Sequence, residues 1–256
     1  KYWFGLSANG VYVYDGSTWK NYYQTEGLLS NYVYSVCQDN NDMWFGTNSG
    51  ASKYDGNQWS AYTASNSGIA NNYIYNTIRD GSGNLWFATN NGLSKWNGSI
   101  WKTYTTADGL LDNYAYSLFV DSQNNLWIGY YNGVTVFNGS TFTNYTTLNG
   151  LANNYIRTIC QDAQGKIWCG SGNSSSTNIS IWNGNSWSAL NTPNNTSINK
   201  LFKSSAGDIW LTCNQGAYRY DGNNNWTLFT HPENYSLNSV AEDNQGRLWF
   251  SSNNRI

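Results

Sequence analysis

Five aspartates, Asp39, Asp80, Asp121, Asp162 and Asp243, each stand five or six residues before a tryptophan, and their spacing is the first in the chain that suggests chemistry. An Asp-x-Asn-x-Gly run can supply oxygen ligands to calcium. The same carboxylate can instead cap its own turn, with no metal involved. The positions that would carry the remaining ligands vary among Ser, Asn, Gln and Ala, so turn capping is the reading adopted and no metal or cofactor is expected. Zinc has no ligand set either: no Cys-x-x-Cys occurs, and the only histidine, His231, precedes Pro232 in a polar loop. Cys37 and Cys160 hold the same place in non-adjacent repeats, whereas Cys160 and Cys169 flank one short turn and could face each other as a disulfide; the alternative is buried free thiols. No Gly-x-Ser-x-Gly elbow appears, and Glu26, Glu233 and Glu242 lie in unrelated contexts, which leaves no nucleophile and base to pair. We expect a protein that binds and does not catalyse.

Binding chemistry is better represented. Four Asn-Tyr pairs recur at equivalent places: Asn31-Tyr32, Asn72-Tyr73, Asn113-Tyr114 and Asn154-Tyr155. Tyrosine offers a flat amphipathic ring and asparagine a donor and an acceptor, a combination suited to sugars or peptides. The competing reading has each Asn capping its loop and each Tyr packing on the strand that follows. Arg79, Arg157 and Lys200 interrupt the repeat on or beside that strand, and are the candidates for specificity.

The elements that must position these residues follow from a period. Successive tryptophans Trp3, Trp44, Trp86, Trp127, Trp168, Trp210 and Trp249 are separated by 41, 42, 41, 41, 42 and 39 residues, the mark of a repeat architecture. Each period holds four short runs of alternating apolar and polar residues, such as Tyr32–Cys37, Met43–Thr47, Ala51–Tyr54 and Trp59–Tyr62, here strands A to D. Asp-Gly or Asn-Gly sits between C and D throughout, a hairpin signal because both residues tolerate positive φ. Four-stranded antiparallel units every forty or so residues, without helical periodicity, predict an all-β fold of β-propeller blades. The strand B tryptophans, the small residue two places on and the strand D rings Trp19, Trp59, Trp101, Phe142, Trp187 and Trp226 are expected to fill the space between neighbouring blades. Seven copies of strand B predict seven blades, the last incomplete and finished by residues beyond Ile256. The alternative is six, closed by Leu237–Ala241 against the N-terminal strands. We expect one domain over residues 1–256, excerpted from a longer chain.

Aromatic residues are 17% of the sequence and charged residues 11%, with a formal net charge of −2. That balance offers no basic field for a phosphate backbone, so nucleic acid is excluded as a partner. No run reaches the roughly 18 apolar residues of a spanning helix.

Between strand D and the next strand A comes a second phrase: Gly27-Leu28-Leu29-Ser30-Asn31-Tyr32, Gly68-Ile69-Ala70-Asn71-Asn72-Tyr73, Gly109-Leu110-Leu111-Asp112-Asn113-Tyr114 and Gly150-Leu151-Ala152-Asn153-Asn154-Tyr155. Together with Asp-x-x-Gly-x-Leu-Trp-Phe/Ile-Gly-Thr and Gly-Leu-x-x-Tyr-Asp-Gly, it resembles the two-component-regulator propeller repeat, over essentially the whole chain. The resemblance implies a sensor propeller of the kind found outside the cytoplasm in bacterial hybrid histidine kinases, periplasmic or at the cell surface, with an oligosaccharide or peptide ligand. It equally admits a structural or adhesive module that meets protein partners in a surface or type IX secretion assembly. Two sectors depart from the pattern: Ser171–Asn178, and the Asn191–Thr196 and Thr230–Tyr235 phrases that replace Gly-Leu.

Overall fold

The computed structural model describes residues 1–173, 177–223, 225–230, 233 and 235–252. His231, Pro232, the centre of the Ser171–Asn178 departure and part of the Thr230–Tyr235 phrase therefore lie outside the described residues.

The strands run in sequence order. β1 (Tyr2–Leu6), β2 (Gly10–Tyr14) and β3 (Trp19–Tyr22) form a three-stranded sheet. Five four-stranded antiparallel sheets follow. The first holds β4 (Val33–Asp39), β5 (Asp42–Thr47), β6 (Ala51–Tyr54) and β7 (Trp59–Tyr62); the second holds β8 (Ile74–Arg79), β9 (Leu85–Thr89), β10 (Gly92–Trp96) and β11 (Trp101–Tyr104). Next come β12 (Ser117–Val120), β13 (Leu126–Gly129), β14 (Val134–Phe137) and β15 (Phe142–Tyr145). β16 (Ile156–Gln161), β17 (Ile167–Ser171), β18 (Thr177–Trp182) and β19 (Trp187–Asn191) precede β20 (Lys200–Lys203), β21 (Ile209–Cys213), β22 (Gly216–Tyr220) and β23 (Trp226–Phe229). β24 (Ser239–Glu242) pairs with β25 (Leu248–Ser251) alone.

This topology corrects the expected count. Among the described residues six blades are present, not seven: the seventh copy of strand B, β25, joins a two-stranded ladder and builds no blade of its own there. Counting tryptophans registers how often strand B occurs but not whether strands C and D follow it. The chain packs as two compact units, residues 1–120 with 138–142 and residues 121–137 with 143–256.

In the first unit, sheets meet through rings. Trp59 packs against Tyr22 of the preceding sheet and Phe45 of its own, with centroids 5.5 and 5.4 Å apart, and Trp101 against Tyr62 of the preceding sheet and Phe87 of its own at 5.9 and 5.2 Å. In the second unit Trp187 meets Tyr145 edge-on at 5.6 Å. Trp19 is the exception, 49% exposed. The small residue two places after a strand B tryptophan is where the following strand A comes close, as at Gly46 and Gly170. A Cβ on Gly46 would stand 2.7 Å from Ile74, and one on Gly170 would stand 2.9 Å from Leu201.

The turns use their polar residues as caps. At the C–D hairpins only the glycine takes positive φ, 109° at Gly16 and 103° at Gly56. The aspartate before it stays in ordinary backbone and accepts N–H bonds instead: Asp15 from Ser17 and Thr18, both 2.8 Å. At the A–B turns Asp80 Oδ1 accepts from the Ser82 and Asn84 N–H groups, both 2.9 Å, while Oδ2 accepts the indole N–H of Trp86 at 2.7 Å. Trp127, Trp168 and Trp249 donate in the same way to Asp121, Asp162 and Asp243 at 2.9, 2.8 and 2.9 Å. Asp39 departs from this pattern, because β4 and β5 close a turn one residue shorter and Gln38 occupies the place six before Trp44. The buried Trp44 Nε1 is left without a partner, as is that of Trp210, whose sixth preceding residue is Ser204.

Cys160 and Cys169 are free thiols. Cys160 lies opposite Trp168 and Cys169 opposite Ile159, so the two sulfurs point to opposite faces of the sheet.

The Asp80 cap carries a pH signature. Burial pushes its carboxyl pKa up, but the bonds from Trp86, Asn84 and Ser82 outweigh burial and hold it below the ordinary value. A group depressed on folding stabilises above its unfolded pKa, near 3.9, and loses that contribution as pH falls through the folded value. Asp80→Ala should cost about 2–3 kcal/mol at neutral pH. Asp80→Asn should flatten the loss of stability below about pH 4. Chemical denaturation across pH 2–7 checks both, and identical acid limbs for Asp80→Asn and the parent would refute the assignment.

Candidate functional site

The D–A connection is built the same way in successive blades. In three of them a single 3₁₀ turn, Gln24–Glu26, Thr106–Asp108 or Thr147–Asn149, ends on a glycine with φ of 110°, 114° or 105°. These turns are too short to register as helical periodicity. Gly27 needs its missing Cβ because the ring of Trp59 on the next strand D lies 2.9 Å from where it would be. The leucine or isoleucine that follows is buried at Leu28, Ile69, Leu110 and Leu151. The next N–H is then bonded to a strand C serine: Leu29 to Ser52 at 2.9 Å, Ala70 to Ser94 at 2.8 Å and Ala152 to Ser180 at 2.9 Å.

The four asparagines fasten this loop. Asn31 Oδ1 accepts from the Gln24 N–H at 2.8 Å, Asn72 from Ala64 at 2.8 Å, Asn113 from Thr106 at 2.8 Å and Asn154 from Thr147 at 2.7 Å. Their oxygens are thereby committed to the backbone, and what the loop presents is the tyrosine that comes next.

Sequence inspection missed the device that follows. Strand A opens with a β-bulge: Val33 faces Thr47 and Ser35 faces Gly46, leaving Tyr34 unpaired between them; Tyr75 and Arg157 occupy the same place in β8 and β16. A bulge turns its extra side chain out of the ladder. In the first unit the bulge tyrosines join the loop tyrosines in a continuous row. Tyr34 stacks on Tyr73 at 5.2 Å and 20°, Tyr73 meets Tyr75 at 4.7 Å, and Tyr75 meets Tyr114 and Tyr116, each at 5.1 Å. The Tyr73 hydroxyl donates to that of Tyr34 at 2.8 Å, and the hydroxyls of Tyr75 and Tyr114 are bonded to each other. Burial, then the bond from Tyr73, raises the Tyr34 phenol pKa. The only signal that could have shown Tyr34, Tyr75 and Tyr116 in advance was their own recurrence two residues after the Asn-Tyr pair.

Tyr32 is 45% exposed beside this row. In the second unit Tyr155 stacks on Tyr131 at 4.3 Å and 19°, and Arg157 lies next to it. Lys200 starts β20, opposite Thr212. Arg79 is elsewhere. It ends β8 opposite Leu85, at the A–B turn, and its Nε donates to Asp39 at 2.8 Å. Five residues of strand, about 17 Å, separate it from the tyrosine end. The carboxylates considered for catalysis are in use too: Glu26 caps the Tyr23 N–H at 2.7 Å, and Glu242 accepts from Ser205 N and Oγ, both 2.6 Å.

A family model described as "two component regulator propeller" matches residues 27–49, 68–91, 109–132, 150–173 and 230–254, the first four of which are the D–A loop, strand A, A–B turn and strand B of successive periods. The chain is built of two-component regulator propeller repeats. Solved structures share the fold at low identity. The extracellular domain of a proposed hybrid two-component system from B. thetaiotaomicron aligns with a TM-score of 0.79 at 22% identity, over 91% of this chain and 34% of that one. PorZ, a surface component of the type IX secretion system of Porphyromonas gingivalis, aligns at 0.78 and 16%, over 94% and 41%. A streptogramin B lyase aligns at 0.77 and 16%, over 97% and 85%. The chain thus spans about a third of the first protein and two fifths of the second. No curated protein sequence matches it. No helix among the described residues is long and apolar enough to cross a membrane.

The asparagine caps of these propeller repeats should behave as equivalent parts. Replacing Asn31, Asn72, Asn113 or Asn154 by Ala should cost about 1 kcal/mol each, the usual worth of such a cap. Urea denaturation of the four single variants measures this, and a set in which three are silent would show that the oxygens are not what holds the loops.

Proposed function

We propose that this chain is a recognition domain, a single extracytoplasmic propeller or part of one, that binds an oligosaccharide on the tyrosine row of its D–A end and acts by binding, not by catalysis. The observation that carries the reading is the unbroken series Tyr34, Tyr73, Tyr75, Tyr114 and Tyr116, whose rings are half-buried or exposed and neighbour one another at 4.7 to 5.2 Å. Sugar rings stack on aromatic faces, and phenol hydroxyls at the rim both donate and accept. An extended peptide could use the same surface, since Tyr34 and Tyr75 stand on the edge strands β4 and β8, but a run of neighbouring ring faces matches stacked sugars more directly. The extracellular sensor domain among the structural neighbours supports placement outside the cytoplasm, periplasmic or at the surface. The lyase among them shares the fold at 16% identity, which does not extend its activity to this chain. The surface component of a secretion system supports a second reading, a module held in an assembly by protein partners.

A glycan array probed with this chain should give a ligand. Tyr75→Ala, at the centre of the row, should weaken that ligand about tenfold while leaving the melting temperature within a few degrees, since a lost aromatic stack is worth about 1 kcal/mol or somewhat more. Wild-type affinity in a folded Tyr73→Ala/Tyr75→Ala double variant would exclude the row as the site.

A further inference from the structure

The D–A loops of the first unit are closed by acceptors of two kinds, charged and neutral. Glu26 caps the Tyr23 N–H at 2.7 Å and Asp108 the Thr105 N–H at 2.8 Å. In the loop between them Asn66 holds the same place, accepting from the Thr63 N–H at 2.7 Å, and in the second unit Asn149 accepts from Thr146 at 2.9 Å. An amide therefore closes this turn as well as a carboxylate does. The residue two before the loop tyrosine repeats the choice. Asp112 accepts the Tyr114 N–H at 2.9 Å, whereas Ser30, Asn71 and Asn153 accept those of Tyr32, Tyr73 and Tyr155 at 3.1, 2.8 and 3.0 Å. Capping accounts for an oxygen at Glu26, Asp108 and Asp112, but not for a negative charge at any of them.

Nor does the unit place a cation near them. Its basic residues are Lys1, Lys20, Lys53, Arg79, Lys95 and Lys102, and all stand toward the A–B turns and C–D hairpins, the end opposite the tyrosines. There Lys53 pairs with Asp42 at 2.7 Å and Arg79 with Asp39 at 2.8 Å. The tyrosine end of the same unit carries Glu26, Asp108 and Asp112 and none of its basic residues. The first unit is thus polarised along its strands. Its acidic loops are also tied directly to the aromatic row. Asn31 binds the turn that holds Glu26, with exposed Tyr32 next in the chain; Asn113 binds the turn that holds Asp108, with Tyr114 next. Tyr114 in turn meets Tyr75 at 5.1 Å, and their hydroxyls are bonded to each other. Asp112 is half-buried where it caps Tyr114, so salt and water screen its charge less than they screen those of Glu26 and Asp108.

We infer that the oligosaccharide taken by the tyrosine row carries free amino groups, as glucosamine residues do, with Asp112, Glu26 and Asp108 supplying the counter-charge. A phenol ring attracts an ammonium through its negative face, and an apolar pyranose face packs on the same surface, so one row of tyrosines serves both parts of an amino sugar. Carboxylates on the surrounding loops add a field that draws cations toward that end and repels acidic glycans. This inference rests on the oligosaccharide reading above and narrows it to amino sugars. It needs only groups of the first unit.

The test uses the chain as it stands and titration calorimetry, with a glucosamine trisaccharide at mildly acidic pH, where its amines are protonated, beside its fully N-acetylated, neutral partner. The amino form should bind about tenfold or more tightly. Raising the salt from about 0.05 M to about 0.5 M should remove most of that preference, since it is electrostatic in origin. The triple variant Glu26→Gln/Asp108→Asn/Asp112→Asn keeps an acceptor at every cap, so it should melt within a few degrees of the parent while its affinity for the amino form drops to that for the acetylated one. Equal binding of the two forms by the parent chain would overturn the amino-sugar inference and leave the oligosaccharide reading intact. Failure of every saccharide of a glycan array to bind would overturn both. A lysine tripeptide bound more tightly than the amino trisaccharide would overturn the saccharide assignment in favour of a cationic peptide. The salt series needs no variant and decides the matter even if the triple variant does not fold: a preference that salt leaves untouched would overturn the inference.

Discussion

A short antiparallel sheet with apolar residues on both faces cannot stand alone in water, and the contact that relieves this constraint is the seating of each D–A loop on the next blade. Gly27, Gly109 and Gly150 bring backbone directly against Trp59, Phe142 and Trp187. Leu28, Leu110 and Leu151 then enter the core one residue later. A serine of strand C takes the following N–H in two of these three loops. Every other regularity depends on this seat. It sets where strand A begins, hence where the bulge falls, hence which side chains leave the ladder. The period of the sequence is the period of that seat.

Because neighbours meet through the same positions each time, a repeat array keeps its stability in nearest-neighbour terms and can vary what those terms do not use. Strand B tryptophans, small residues such as Gly46 and Gly170, and the Asp80-type caps are held to type by volume and hydrogen bonding. The bulge position is under no such demand, since its side chain points out of the ladder. Tyrosine stands there in β4 and β8, arginine in β16. Chemical variety is concentrated where packing is indifferent to it.

That division explains what could be read from residues alone. β6 and β7 match their expected limits residue for residue, because alternation, an Asp-Gly turn and flanking rings all agree there. The asparagines recur for a local reason, capping, and the loop-fastening reading describes them. The bulge stayed hidden because inserting one residue into a strand leaves no compositional trace; only the cross-strand register reveals it. Arg79 and Arg157 look alike as interruptions of a repeat, yet stand at opposite ends of strand A, a distinction of register and not of residue type. Asp39 looks like Asp80, but a turn shorter by one residue carries its carboxylate away from Trp44, leaving that indole unbonded. Blade number failed for a related reason. A tryptophan period counts strand B, whereas a blade exists only where strands C and D pair beside it.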